Sequence, residues 1–200
     1  MKLPISSFTS RPWRIHEFTG DFKVLDVWAA QTPGGSDDFP RLVELWTSWD
    51  PTHSSSVVVR TLFAVRWALG DLLSLEKPSS GLGSRVPSLR DRMPADLLDT
   101  ASGPACDALP FTWLYMLDNE CAAEIANKTV HGVLHAGWVP DGNGAHRGEF
   151  AILVKPNGVL GNAYLVVINP FRHLWIYPAM VKEAERHWQA CVVGAAGDDP

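Results

Sequence analysis

The stretch Val130-His131-Gly132-Val133-Leu134-His135-Ala136-Gly137-Trp138-Val139 decides how this chain of 200 residues folds. Its branched and aromatic residues favour an extended backbone, and its two interior glycines are poor helix formers. As a strand it places His131 and His135 on one face, about 13 Å apart at roughly 3.3 Å per residue, beyond the reach of one metal ion. As a helix it would bring the same pair one turn apart, the spacing of a zinc site. The composition favours the strand, so no metal is expected at this pair.

Two strand-like runs precede this one, at 111–117 and 121–126, and two follow, at 149–155 and 163–168. The links are short and polar: Asp118-Asn119, Asn127-Lys128, Asp141-Gly142-Asn143-Gly144 and Pro156-Asn157-Gly158. Links of this length force antiparallel neighbours, and Asn157-Gly158 supplies the positive φ angles that a tight hairpin needs. Five antiparallel strands paired in sequence order are expected. Beyond Asn169-Pro170 the period changes, and Val181, Ala184, Trp188 and Cys191 line one face of a closing helix preceded by Pro178.

Toward the N-terminus, residues 13–16 and 22–29 read as strand or extended chain. Behind the turn cluster 33–38, Phe39, Leu42, Val43, Trp46 and Trp49 recur at helical spacing, with Pro40 in the first turn. Ser54-Ser55-Ser56 offers N-cap hydroxyls to a second helix marked by Val58, Leu62, Val65, Leu69 and Leu72, ending near residue 75. Residues 76–108, rich in Pro, Gly and Ser, are too long for an idle connection and are expected to be mobile or functional.

An apolar fraction of 46% with 20% charged residues fits one globular domain, expected over 11–192 with a flexible tail at 193–200. The net charge of −5 and the lack of a Lys/Arg cluster speak against a nucleic-acid partner. Cys106, Cys121 and Cys191 are odd in number and widely spaced, which points to free thiols in a reducing, cytoplasmic setting. No apolar stretch approaches the ~20 residues of a membrane span. A twisted antiparallel sheet has a face to cover, and the closing helix is the element long enough to lie across it. The expected fold is therefore α+β of the helix-grip kind: a meander wrapped around a C-terminal helix, with two helices inserted near the N-terminus. Such folds leave an apolar cavity, and nine tryptophans can wall one.

Alternation puts Phe111, Trp113 and Tyr115 on one side of their strand, and Glu120 with Glu124 on one side of the next. A carboxylate at Glu124 near His131 would supply an acid and a base; a salt-bridged strand glutamate is the plainer alternative. Arg172, at the cavity mouth, has the planar fork that holds a carboxylate or phosphate. No GxSxG elbow occurs, and Gly142-Asn143-Gly144 lacks the context of a dinucleotide loop, so no cofactor is expected. The expected ligand-binding residues are Trp113, Tyr115, His131, His135 and Arg172, around a small apolar or aromatic molecule. Two alternatives stand beside this reading. One is a cyclase- or hydratase-type enzyme using the His and Glu groups in the same cavity; the other is a non-catalytic interaction domain whose core is filled by tryptophan. Composition leaves a homo-oligomer open.

The segment Glu124-Ile125-Ala126-Asn127-Lys128-Thr129 with the strand quoted above resembles a bacterial family defined only as domain of unknown function 2867. So do Val154-Lys155-Pro156-Asn157-Gly158 and Pro170-Phe171-Arg172-His173-Leu174-Trp175-Ile176-Tyr177-Pro178. That family is similar to the START-like superfamily of lipid carriers, polyketide cyclases and the birch-pollen allergen. The resemblance implies a helix-grip fold with a pocket, and no named activity.

Overall fold

A computed structural model of the chain describes residues 1–61, 63–64, 82, 86–106 and 110–196, the last six through their backbone alone. Six strands form one antiparallel sheet: β1 (Lys2–Leu3), β2 (Lys23–Ala29), β3 (Thr112–Met116), β4 (Glu120–Ala126), β5 (Val130–Pro140) and β6 (His146–Pro156). Across the sheet they run β1-β2-β6-β5-β4-β3, so β3 to β6 form a meander and β2 closes against β6. The class is α+β, with a long C-terminal helix, Tyr177–Ala196.

The meander turns use the chemistry expected of them. The Asn127 side-chain oxygen accepts from the Thr129 and Val130 N–H groups at 2.9 and 3.1 Å. Between β5 and β6, Gly142 and Gly144 take φ of 86° and 89°, where an L side chain is strained. The Asn157-Gly158 link departs from expectation. Gly158 has φ 68°, yet it opens the helix Gly158–Phe171, so residues 163–168 are helical and not a fifth strand of the run. Both edges of β6 are already taken, by β5 and by β2, which leaves no ladder for another strand. The Asn157 N–H instead donates to Thr129 O at 2.7 Å and its side-chain amide to Asn127 O at 2.8 Å, folding the chain back over the β4–β5 turn. Residues 13–16 also differ: Arg14–Glu17 is a 3-10 turn.

The helix Phe39–Thr47 buries Phe39, Leu42, Val43 and Trp46, as its spacing predicts. Of the second expected helix, residues 57–61 and 63–64 are helical, and the rest of its span to 75 lies outside the described residues. The described part of 76–108 includes a 3-10 turn, Leu89–Arg92, and a short helix, Ala95–Leu98. The helix Gly158–Phe171 passes through a π turn, Arg172–Ile176, directly into Tyr177–Ala196. Residues 193–196, expected as tail, are thus helical, and 197–200 lie outside the described residues. Pro170 and Pro178 flank the π turn and lack the N–H that a regular helix needs; the Tyr177 N–H reaches back five residues to the Arg172 carbonyl.

Alternation gives the sheet two faces, and both are covered, where one covered face was expected. On the front, Leu134, Trp138, Phe150 and Ile152 meet Leu42, Trp46, Tyr177, Val181 and Trp188 from the helices. On the back, Val133, Val139, Ala151 and Leu153 meet Phe8, Trp13, Ile15 and Phe22 of the N-terminal segment and Leu89 and Leu97 of the 86–106 segment. A β-bulge between Trp113 and Tyr115 corrects the expected alternation of β3. The register slips there, so Trp113 stays on the front, edge-on to Trp46 at 5.3 Å between ring centroids, and Tyr115 turns to the back.

Candidate functional site

Between the front face and the helices lies a cavity of about 210 Å³. Gly132, Leu134, Ile152 and Val154 form its floor, Leu165, Ile168, Ile176 and Met180 its roof, and Trp46, Trp49 and Phe111 its side. A Cβ at Gly132 would meet nothing nearer than Ile125 Cγ2 at 3.5 Å, so its missing side chain is part of the open space. Ile168, Arg172, Ile176 and Met180 follow one another at steps of four. Such steps overshoot a 3.6-residue turn, and the wider π turn takes up the excess, keeping all four on the cavity.

Polar groups on this wall are few: Asn127, Tyr164, Arg172 and Tyr177. Arg172 Nε donates to the Tyr177 hydroxyl at 2.6 Å, and Nη2 contacts the same oxygen. Burial pushes the Tyr177 phenol up to about 12 against the opposing pull of the Arg172 charge, so it stays a neutral phenol at pH 7. The Arg172 charge is thereby held in place without being neutralised. The neighbouring His173 places Nδ1 3.0 Å from Oδ1 of Asp26 on β2, where Lys2 Nζ also lies at 3.0 Å, fastening the π turn to the sheet.

A second fastening holds the side wall. Buried Glu183 accepts from Trp49 Nε1 at 2.6 Å, Ser54 Oγ at 2.7 Å and the Ser55 N–H at 2.6 Å. Burial acts to raise its carboxyl, but these donors outweigh it and hold it below the ordinary range. Sequence reasoning passed over Glu183, which no local signal separates from Glu185 on the far side of Ala184.

The ionisable groups singled out in the sequence lie on the other side of the sheet. Glu124 Oε2 is 2.7 Å from His131 Nε2 and accepts from the Leu89 N–H at 3.0 Å. Glu120 repeats the pattern, with His135 Nε2 at 2.9 Å, the Arg14 N–H at 3.0 Å and the Tyr115 hydroxyl at 2.8 Å. Burial acts to raise both carboxyls, and the surrounding donors more than offset it, so both are held below the ordinary range. Burial lowers the His135 imidazole against the pull of Glu120, and pushes the Tyr115 phenol well up. An ionised carboxylate therefore takes hydrogens from a neutral imidazole, a phenol and a backbone amide. Each unit is a clamp that joins β4 to β5 and to a segment covering the back face.

Of the five expected ligand-binding residues, Arg172 lines the cavity. Trp113 lies on the front face outside the lining, with its Nε1 donating to Pro104 O at 2.8 Å. Tyr115, His131 and His135 are buried on the back, so the sheet stands between them and the cavity. This corrects the enzyme alternative: a reaction in the cavity has no access to Glu124 or to either histidine. Among the described residues, no group of three or more His, Cys, Asp or Glu could hold a metal ion. Nor is any described helix long and apolar enough to cross a membrane.

No curated protein and no solved structure matches the chain. A family model described as "Protein of unknown function (DUF2867)" matches residues 18–179, which take in β2 to β6, the back-face carboxylates with their histidines, and the π turn. The chain therefore belongs to the DUF2867 family.

Proposed function

We propose that this chain binds a compact apolar or aromatic molecule carrying one anionic group, seated in the front cavity with that group on Arg172. The carrying observation is the cavity of about 210 Å³ with an apolar lining and one held guanidinium at its wall. An apolar cavity of roughly 150 Å³ admits benzene, so this one suits about one or two rings and is too small for a long acyl chain. The open volume favours this reading over a core filled by tryptophan. The helix-grip arrangement of the START-like superfamily belongs to the same proposal. It is supported by the strand order, with β2 beside the last strand and a terminal helix across the front face. A reducing, cytoplasmic setting goes with it, in keeping with a Cys121 thiol pushed far up by burial and so unreactive.

Two fluorescent probes with one two-ring framework test it, anionic naphthalene-2-sulfonate and neutral 2-methylnaphthalene. Both should bind the folded protein at one site. Arg172→Ala should weaken the anionic probe about tenfold to a hundredfold, the worth of a charge-assisted hydrogen bond of roughly 1.5–3 kcal/mol, and leave the neutral one within a factor of about two. Equal losses would remove Arg172 from the site, and no binding of either probe would sink the proposal.

A further inference from the structure

The helix that roofs the cavity is apolar on its outward face as well. Residues 158–171 contain no charged side chain. Val159, Leu160, Val166, Val167, Leu174 and Trp175 point away from the molecule at 87, 60, 74, 67, 64 and 41% exposure. Trp175 lies against Phe171 at 5.6 Å between ring centroids, which keeps the stripe continuous across the π turn. A helix apolar on both sides is normally buried on both. These six side chains present on the order of 700 Å² of surface, more than a typical monomer exposes in one patch and close to the roughly 800 Å² that each partner gives a standard interface.

We infer that this face is a twofold interface between two copies of the chain. The stripe is nearly the same read in either direction. Paired valines, Val166 and Val167, sit at its middle, with Val159-Leu160 seven residues before them and Leu174-Trp175 eight residues after. Ala163 and Pro170 come between, so small and ring side chains alternate with the bulky pairs. Two such helices crossing antiparallel at the valines place each end pair of one copy on the opposite end pair of the other, the self-complementarity that an isologous contact requires. A lipid surface would need no such symmetry. Helices that lie on membranes also carry Lys and Arg along their polar side, whereas this one has none through residue 171 in a chain of net charge −5. In the dimer the two cavities lie back to back, each roof pressed against its counterpart.

Sedimentation velocity at about 1–50 μM should give a species of twice the 22.0 kDa chain mass. Val166→Lys and Val166→Glu should each raise the dimer dissociation constant about a hundredfold or more, since like charges meet at the axis. Their circular dichroism and melting as monomers should stay those of a folded chain, and mixing the two variants should restore a heterodimer. A monomeric wild type at 50 μM would overturn the inference. So would folded Val166 variants that remain dimers, which would put the contact elsewhere, or a monomer that floats with neutral phosphatidylcholine vesicles, which would make the partner a membrane.

Discussion

The two faces of the sheet use their residues in opposite ways. The back face carries Glu120, Glu124, His131, His135 and Tyr115, the side chains best suited to chemistry, and seals them completely. The front face is almost wholly apolar and keeps the open space. Each carboxylate on the back accepts a backbone N–H from a segment that covers this face, Arg14 for one and Leu89 for the other. Reactive residue types here mark where the covering chain is fastened, and a missing side chain, Gly132, marks where a ligand fits.

The sharpest way to break this contrast is Glu124→Ala. It strands a buried imidazole, the Ser88 hydroxyl and the Leu89 N–H together, and removing one partner of a buried pair costs about 3–5 kcal/mol. Urea denaturation should show that loss, while the folded fraction binds 2-methylnaphthalene as wild type does. A mild loss with impaired binding would mean that the two faces are not separate in function. An intermediate effect should follow pH. The carboxyls of Glu120 and Glu124 are held low, so the stability they supply is complete above the unfolded value near ~4.3 and is lost as pH falls through the folded values. His135 is also lowered; below about 6.5 the unfolded chain takes a proton that the native state refuses, so the decline starts there. His135→Gln should flatten the decline that sets in below about pH 6.5 and leave the acid limb in place. Parallel curves for variant and wild type would exclude His135 as its source. The smallest change is on the front. Gly132→Val puts a side chain into open space, and should add about 0.5–2 kcal/mol of stability while abolishing probe binding. Retained binding would move the site out of the cavity.

Much of the sheet was legible because its strands are runs of branched, aromatic and small apolar residues set between short polar turns. The expected run 130–139 and the observed strand Val130–Pro140 differ by a single residue. The face on which His131 and His135 lie was not legible, since it depends on which segment covers which side, and the N-terminal cover carries no signal beyond scattered aromatics. The bulge in β3 left no mark in the sequence and moved Tyr115 away from Trp113. The run 163–168 misled for a physical reason: with apolar residues on both its inner and outer faces, the helix loses the 3.6-residue contrast by which a helix is recognised, and Val166-Val167-Ile168 then reads as strand. Arg172 was legible because a lone guanidinium in an apolar stretch is conspicuous. Trp49 and Glu183, partners at a separation of 134 residues, were beyond any local pattern.

The pairing of β2 with β6 has a consequence for how the chain comes off the ribosome. β2 ends at Ala29, and the strand that completes its ladder begins at His146, so well over a hundred residues must be made before it has its neighbour. The clamp on Arg14 spans 106 residues and waits as well. The meander from β3 to β6 closes through local turns and forms first, since short loops close at little entropic cost. The N-terminal segment, with Phe8, Trp13, Phe18 and Phe22 uncovered until then, docks last, and the nascent chain spends that interval with four large aromatic side chains in water.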